Sequence, residues 1–185
     1  MARALFYNES FFYENSAVDE NVNYDVIRPV MWDAQELYIQ DILGTPLYNE
    51  LKTQVENSTL TALNTTLLND YVVPCLLKYT LMDSQITMLF KMRNKSVSTD
   101  RSDYSTEVDF QEHKYLVNEY RIKAEQYAEK IERYLCANQS SYPLYTTYTS
   151  SDEVRAQHQR PQTSLWLGGM NKGGIGYGYE YYENK

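Results

Sequence analysis

The sequence predicts an all-α protein: a bundle of about four helices, one of them long and proline-kinked, followed by an extended C-terminal arm. Three observations predict it. Between Asn23 and Cys136 apolar residues recur mainly at three- and four-residue spacing, the period of a helix with one buried stripe. Helix start and stop signals punctuate that stretch. Beyond it, residues 139–185 hold six of the seven glycines and seven of the 19 tyrosines, and no helical period. The predicted division is a helical domain over 1–138, with an N-terminal arm at 1–20, and the Gly/Tyr-rich arm over 139–185.

The first 20 residues mix aromatics with turn formers, which predicts turn or short helix, with Phe11, Phe12 and Tyr13 tucked onto the domain. From Asn23 a stripe of Ile27, Val30, Met31, Ala34, Leu37, Tyr38, Asp41 and Ile42 predicts the first long helix. Asn23 is its N-cap, Asp25 suits the first turn, and Pro29 demands a place near the start or a kink. Gly44 ends it. Thr45 then supplies a capping hydroxyl before Pro46, opening a second helix with Leu47, Leu51 and Val55 on its apolar edge until Glu56-Asn57-Ser58-Thr59 interrupts.

Residues 65–92 are the most apolar stretch and predict the central helix, carrying Leu67, Leu68, Tyr71, Val72, Cys75, Leu76, Tyr79, Met82, Ile86, Leu89 and Phe90. Pro74 lies inside it, lacks a backbone donor and collides with the carbonyl four residues back, which predicts a kink or break near Asp70. From Arg93 to Ser105 the pattern is lost, predicting a long loop or a weak hairpin. Thr106-Glu107-Val108-Asp109 resembles a capping box before a last long helix, with a stripe of Phe110, Val117, Tyr120, Ala124, Tyr127, Ala128, Ile131, Tyr134 and Leu135. The arm after it cannot build its own core, so partners must order it or it stays unfolded. Its aromatic and apolar anchors, Tyr142, Tyr145, Leu165, Trp166, Leu167, Tyr177 and Tyr179, are the candidate partner-interface residues.

Chemistry is sparsely provided for. The histidines are His113 and His158, too few and too far apart in sequence to form a recognisable triad, and no Glu-x-x-His pair offers a di-iron site. His113 reads as a surface or interface histidine. The tail's GGMNKGGIGYGY contains Gly-x-Gly spacings, but a phosphate loop follows a strand and opens a helix, and no helix follows here. Catalytic residues, cofactors and metals are therefore expected to be none. Cys75 and Cys136 both sit in apolar helical patterns and read as reduced core thiols.

The formal charge is -8, with ten acids against three bases in residues 1–56. Without a Lys/Arg stripe few phosphates are neutralised, so tight or sequence-specific DNA binding is not expected. No apolar run approaches the roughly 20 residues that cross a bilayer, and MARALFYNES lacks a secretory pattern, which predicts a soluble protein made in the cytoplasm.

The segments IRPVMWDAQELYIQDILGTPLYNEL, LLNDYVVPCLLKYTLMDSQITMLFKM and HKYLVNEYRIKAEQYAEKIERYL, in this order and with a polar tail after them, resemble head-to-tail connector (adaptor) proteins of tailed bacteriophages, particularly those of crAss-like phages of Bacteroidetes. The most specific pieces are Tyr38 to Tyr48, helix to Gly turn to capped helix, and Asp70-Tyr71-Val72-Val73-Pro74, where a proline enters a long helix. The resemblance covers residues 24–138. It implies a non-enzymatic virion protein of the neck, assembled in the host cytoplasm as a dodecameric ring between the portal protein and adjacent connector or tail proteins. Genomic DNA would pass through its lumen without sequence-specific binding, and no membrane is involved. Beside this stand a tail-completion or stopper protein, a small regulatory binding module, and an enzyme of unknown type.

Overall fold

Three helices open where a short polar side chain takes an amide that the helix leaves without an acceptor. Asn8 accepts from Phe11 N–H ahead of α1 (Glu9–Asn15), Asn23 from Asp25 N–H ahead of α2 (Tyr24–Ala34), and Thr61 from Asn64 N–H ahead of α5 (Ala62–Leu67). These elements belong to a computed structural model that describes residues 4–19, 22–93, 96–99, 110–147 and 154–156. α2 passes through a π-helical turn (Gln35–Ile39) into α3 (Gln40–Leu43), and α4 (Thr45–Glu56) follows Gly44. α5 passes through a second π turn (Leu68–Val72) into α6 (Val73–Leu89), and α7 (Phe110–Ala137) and α8 (Pro143–Thr146) complete an all-α bundle. A two-stranded antiparallel hairpin, β1 (Phe90–Arg93) and β2 (Ser96–Thr99), extends from the end of α6 with Phe90 opposite Thr99. The hairpin alternative thus holds, but it begins three residues earlier than the loss of helical pattern predicts. The capping box at 106–109 lies outside the described residues.

α6 is the centre of the bundle. Cys75, Leu76, Leu77, Tyr79, Thr80 and Leu81 are all buried, so nearly the whole circumference of the helix is covered. α2 and α7 both pack against it. Tyr38, in the π turn after α2, stacks on Tyr79 with ring centroids 4.2 Å apart. One turn earlier on α6 the Cys75 thiol donates to Ala124 O of α7 at 3.6 Å. α7 buries Ala124, Ala128, Ile131 and Leu135, as its stripe predicts, with Tyr120, Tyr127 and Tyr134 partly covered.

The first π turn changes which residues reach the core. A regular helix continuing from Ile27, Met31 and Ala34 would bring Leu37 and Tyr38 inward. The wider turn holds one extra residue, and the buried positions become Gln35, Ile39, Ile42 and Leu43. Leu37 is left 65% exposed, contrary to its place in the predicted stripe.

The second π turn sits at the place where Pro74 predicts an irregularity. Val73 N–H bonds Leu68 O, five residues back, so the chain absorbs the proline by widening a turn rather than by breaking. Asn69 and Asp70, whose carbonyls lie nearest the missing donor, are exposed to water.

The boundary at 138 is corrected at two places. After α7 the chain turns back, and Tyr142 and Tyr145 are 3% and 1% exposed in the same core as α4 to α7. Residues 154–156 also return to the bundle, with Ala156 buried. Of the cysteines, Cys75 is buried but Cys136 is exposed, because it falls one residue past Leu135 and off the inward stripe.

Candidate functional site

Among the described residues, two polar assemblies and two exposed apolar flanks are the features available for function. The first assembly grows from the π turn that turns Gln35 inward. Its amide accepts from Phe6 N–H at 3.0 Å and donates to Ala4 O at 3.0 Å and to Tyr48 Oη at 3.2 Å, tying the N-terminal arm to α4. Tyr48 in turn donates to Glu36 at 3.0 Å, and Lys52 reaches the same carboxylate at 3.1 Å. The Lys52 ammonium also stands 5.2 Å from the centroid of Trp32. Burial pushes the Tyr48 phenol well above its ordinary value, which keeps it neutral and able to donate.

The second assembly is a notch at the α3–α4 junction. Gly44 has φ +77° and ψ 151°, a conformation that essentially only glycine adopts. Its N–H bonds Gln40 O at 2.9 Å, which stops α3 as predicted. Thr45, expected to cap α4, does something else. Its N–H donates to Val154 O at 2.9 Å, and its hydroxyl accepts from Val154 N–H at 2.9 Å and from the Gln40 amide at 3.0 Å. A Cβ on Gly44 would stand 3.0 Å from Ala156 N, so the absent side chain is what lets the tail lie there.

Of the predicted interface residues, Tyr142 and Tyr145 are core residues and not free anchors. Tyr142 donates to Leu63 O at 2.9 Å, 79 residues away, and its ring meets that of Tyr134 edge-on at 5.9 Å. Tyr134 stacks on Tyr71 at 4.1 Å, and Lys130 lies 5.0 Å above Tyr71. Leu165, Trp166, Leu167, Tyr177 and Tyr179 lie outside the described residues.

The flanks were missed by the stripe assignments. On α2 and its π turn, Val26 is 43% exposed and Leu37 65%, with Val30 between them on the same flank. Among them stand Asp33 and Glu36, and Asp41 follows in α3. On α7, Tyr115 is 67% exposed and Ile122, seven residues on and so on the same side, is 41% exposed, beside Lys114, Arg121 and Lys123, while Leu116, also 41% exposed, lies on another side of the helix. Tyr115 and Ile122 lie opposite the inward stripe of α7, a signal present in the pattern itself. The exposure of Leu37 had no such signal.

Among the described residues, three titratable groups are set apart by their surroundings. His113 is half-buried, its Nε2 3.4 Å from Gln85 O. Asp83 accepts from Tyr38 Oη at 3.3 Å, and its carboxyl is held above the usual range, first by burial and then by the nearby Asp33, against the opposing effect of the Tyr38 hydrogen bond. Burial raises the Cys75 thiol far out of the reactive range. Among the described residues no three His, Cys, Asp or Glu side chains are grouped to hold a metal ion, and no helix is long and apolar enough to cross a membrane.

Residues 39–155 match the model of a family described as a family of unknown function (DUF6712). No curated protein and no solved structure matches the chain. The matched stretch begins in the first π turn and ends inside the docked tail, so it includes Gly44, Thr45 and Val154. With well over half of its length matched, the chain belongs to the DUF6712 family.

Proposed function

We propose that this protein is a virion structural protein that forms a homo-oligomeric ring in the head-to-tail connector, between the portal and the tail, and leaves a passage for DNA. The carrying observation is the pair of apolar flanks, Val26/Leu37 on α2 and its π turn and Tyr115/Ile122 on α7, which stay open to solvent on two separate elements that each pack on α6. Two unlike patches on one chain favour head-to-tail contact, and head-to-tail contacts close into a ring when the rotation allows. Their charges favour the same pairing. The segment from Tyr24 to Leu43 carries four acids against one base, whereas the segment from Gln111 to Lys123 carries three bases against two acids. The sequence resemblance to phage connectors supports the same reading. An acidic N-terminal half turned to the lumen would repel DNA in transit.

Mass measurement of the full-length protein, alone and with a portal protein, tests it. Closed multimers are expected, and Leu37→Glu or Ile122→Glu should lower their mass while leaving far-ultraviolet circular dichroism unchanged. A strictly monomeric protein that never joins the portal would overturn the reading.

A further inference from the structure

We propose that the Gly44–Thr45 notch is an exchange site, which in the assembled protein takes Val154-Arg155-Ala156 from a neighbouring copy of the chain. This rests on the assembly reading above. The notch is built for a short extended peptide. Thr45 offers one amide donor and one hydroxyl acceptor to the two main-chain groups of Val154, and Gly44 leaves room for the backbone and small side chain of residue 156. Ala156 is 2% exposed there, so position 156 tolerates little more than a methyl group.

None of these contacts depends on which copy supplies the segment. Recognition runs through main-chain groups, and the tie to the bundle is the polar link Tyr-Thr-Ser-Ser-Asp-Glu at 148–153. From Thr147 to Val154 that link spans at most about 25 Å, which sets how near the neighbour's notch must lie. Two hydrogen bonds and one buried methyl make a weak contact, held by local concentration rather than by intrinsic affinity. Adjacent copies in a ring supply a comparable concentration. Exchange then exchanges identical contacts and costs little.

A complementation experiment on full-length chains decides it. One variant, Gly44→Ala, has a blocked notch and an intact segment; the other, Ala156→Leu, has an intact notch and a segment too large to enter. Arg155 is exposed and its C-terminal neighbour is buried, so limited trypsin digestion read by mass spectrometry at the Arg155–Ala156 bond reports docking. Alone, Gly44→Ala chains should be cut quickly at this bond. Mixed with an excess of Ala156→Leu chains and reassembled, they should be cut roughly tenfold more slowly, because their segments now sit in the partners' open notches. Thr45→Val, which removes the hydroxyl acceptor and keeps the side-chain shape, replaces Gly44→Ala if the strained alanine prevents folding. Mixed multimers with unprotected Arg155 would overturn the exchange and leave the ring reading intact. Absence of multimers from the wild-type protein would overturn both.

Discussion

Replacing Gln35 by Met tests the register imposed by the first π turn, because the side chain keeps its length and loses every hydrogen bond. Three partners are affected. Phe6 N–H, on a residue 6% exposed, is left buried without an acceptor, at about 1–3 kcal/mol. Tyr48 Oη keeps Glu36 as its acceptor and forfeits only the bond it receives from Gln35, at about 0.5–1.5 kcal/mol. Ala4 O is half-buried and regains water. Burial of the apolar Met side chain offsets part of the loss by up to about 1 kcal/mol. The net expectation is a loss of about 2 kcal/mol in urea denaturation, with unchanged slope. Hydrogen exchange at Phe6 and Tyr7 should accelerate first, since these bonds tie the arm to α4. The control is Leu37→Gln in the monomer, which should stay within about 0.5 kcal/mol because Leu37 is exposed. A regular helical register demands the reverse order. A costly Leu37→Gln beside a neutral Gln35→Met would refute the π-turn argument.

Leu76→Ala, in the fully buried centre of α6, should cost about 2–5 kcal/mol in chemical denaturation, and under about 1 kcal/mol would place that helix at the surface. Tyr142→Phe removes the hydroxyl that reaches Leu63 O and should destabilise the isolated monomer by about 1 kcal/mol; a stability change seen only in assembled protein would return Tyr142 to a partner interface. Asp83 has a folded pKa above its unfolded value of about 3.9, so its ionised form disfavours folding above the folded pKa and the penalty vanishes below the unfolded one. Asp83→Asn, which still accepts from Tyr38, should therefore raise the urea midpoint at pH 7, and the gain should shrink as pH falls towards 4. A midpoint lowered at pH 7 would reverse the assigned direction.

The features legible along the chain are those decided within one helical turn. A cap needs only the side chain and the amides two or three residues on, so Asn23 is readable from its neighbours, and Gly44 marks a stop because few residues take its backbone angles. Pro74 announces a disturbance four residues upstream for the same local reason. The candidate site was less legible. The α7 flank is implicit in Tyr115 and Ile122, seven residues apart and opposite the inward stripe, but periodicity alone does not say that such residues stay uncovered.

What the amino-acid order determined by itself was the all-α class, the central position of α6 and the helix ends at Asn23, Gly44 and Glu56, since these follow from periodicity and from hydrogen bonds between near neighbours. Tertiary packing decided the rest. A π turn gains nothing locally over an α turn, so the register that exposes Leu37 is favoured by tertiary contacts, the bonds of Gln35 to Phe6 and Tyr48 and the burial of Ile39, Ile42 and Leu43. Thr45 holds Val154 across 109 residues and Tyr142 holds Leu63 across 79. Such pairings leave no period in the sequence, because the entropy of closing a long loop is repaid only when the whole core has formed.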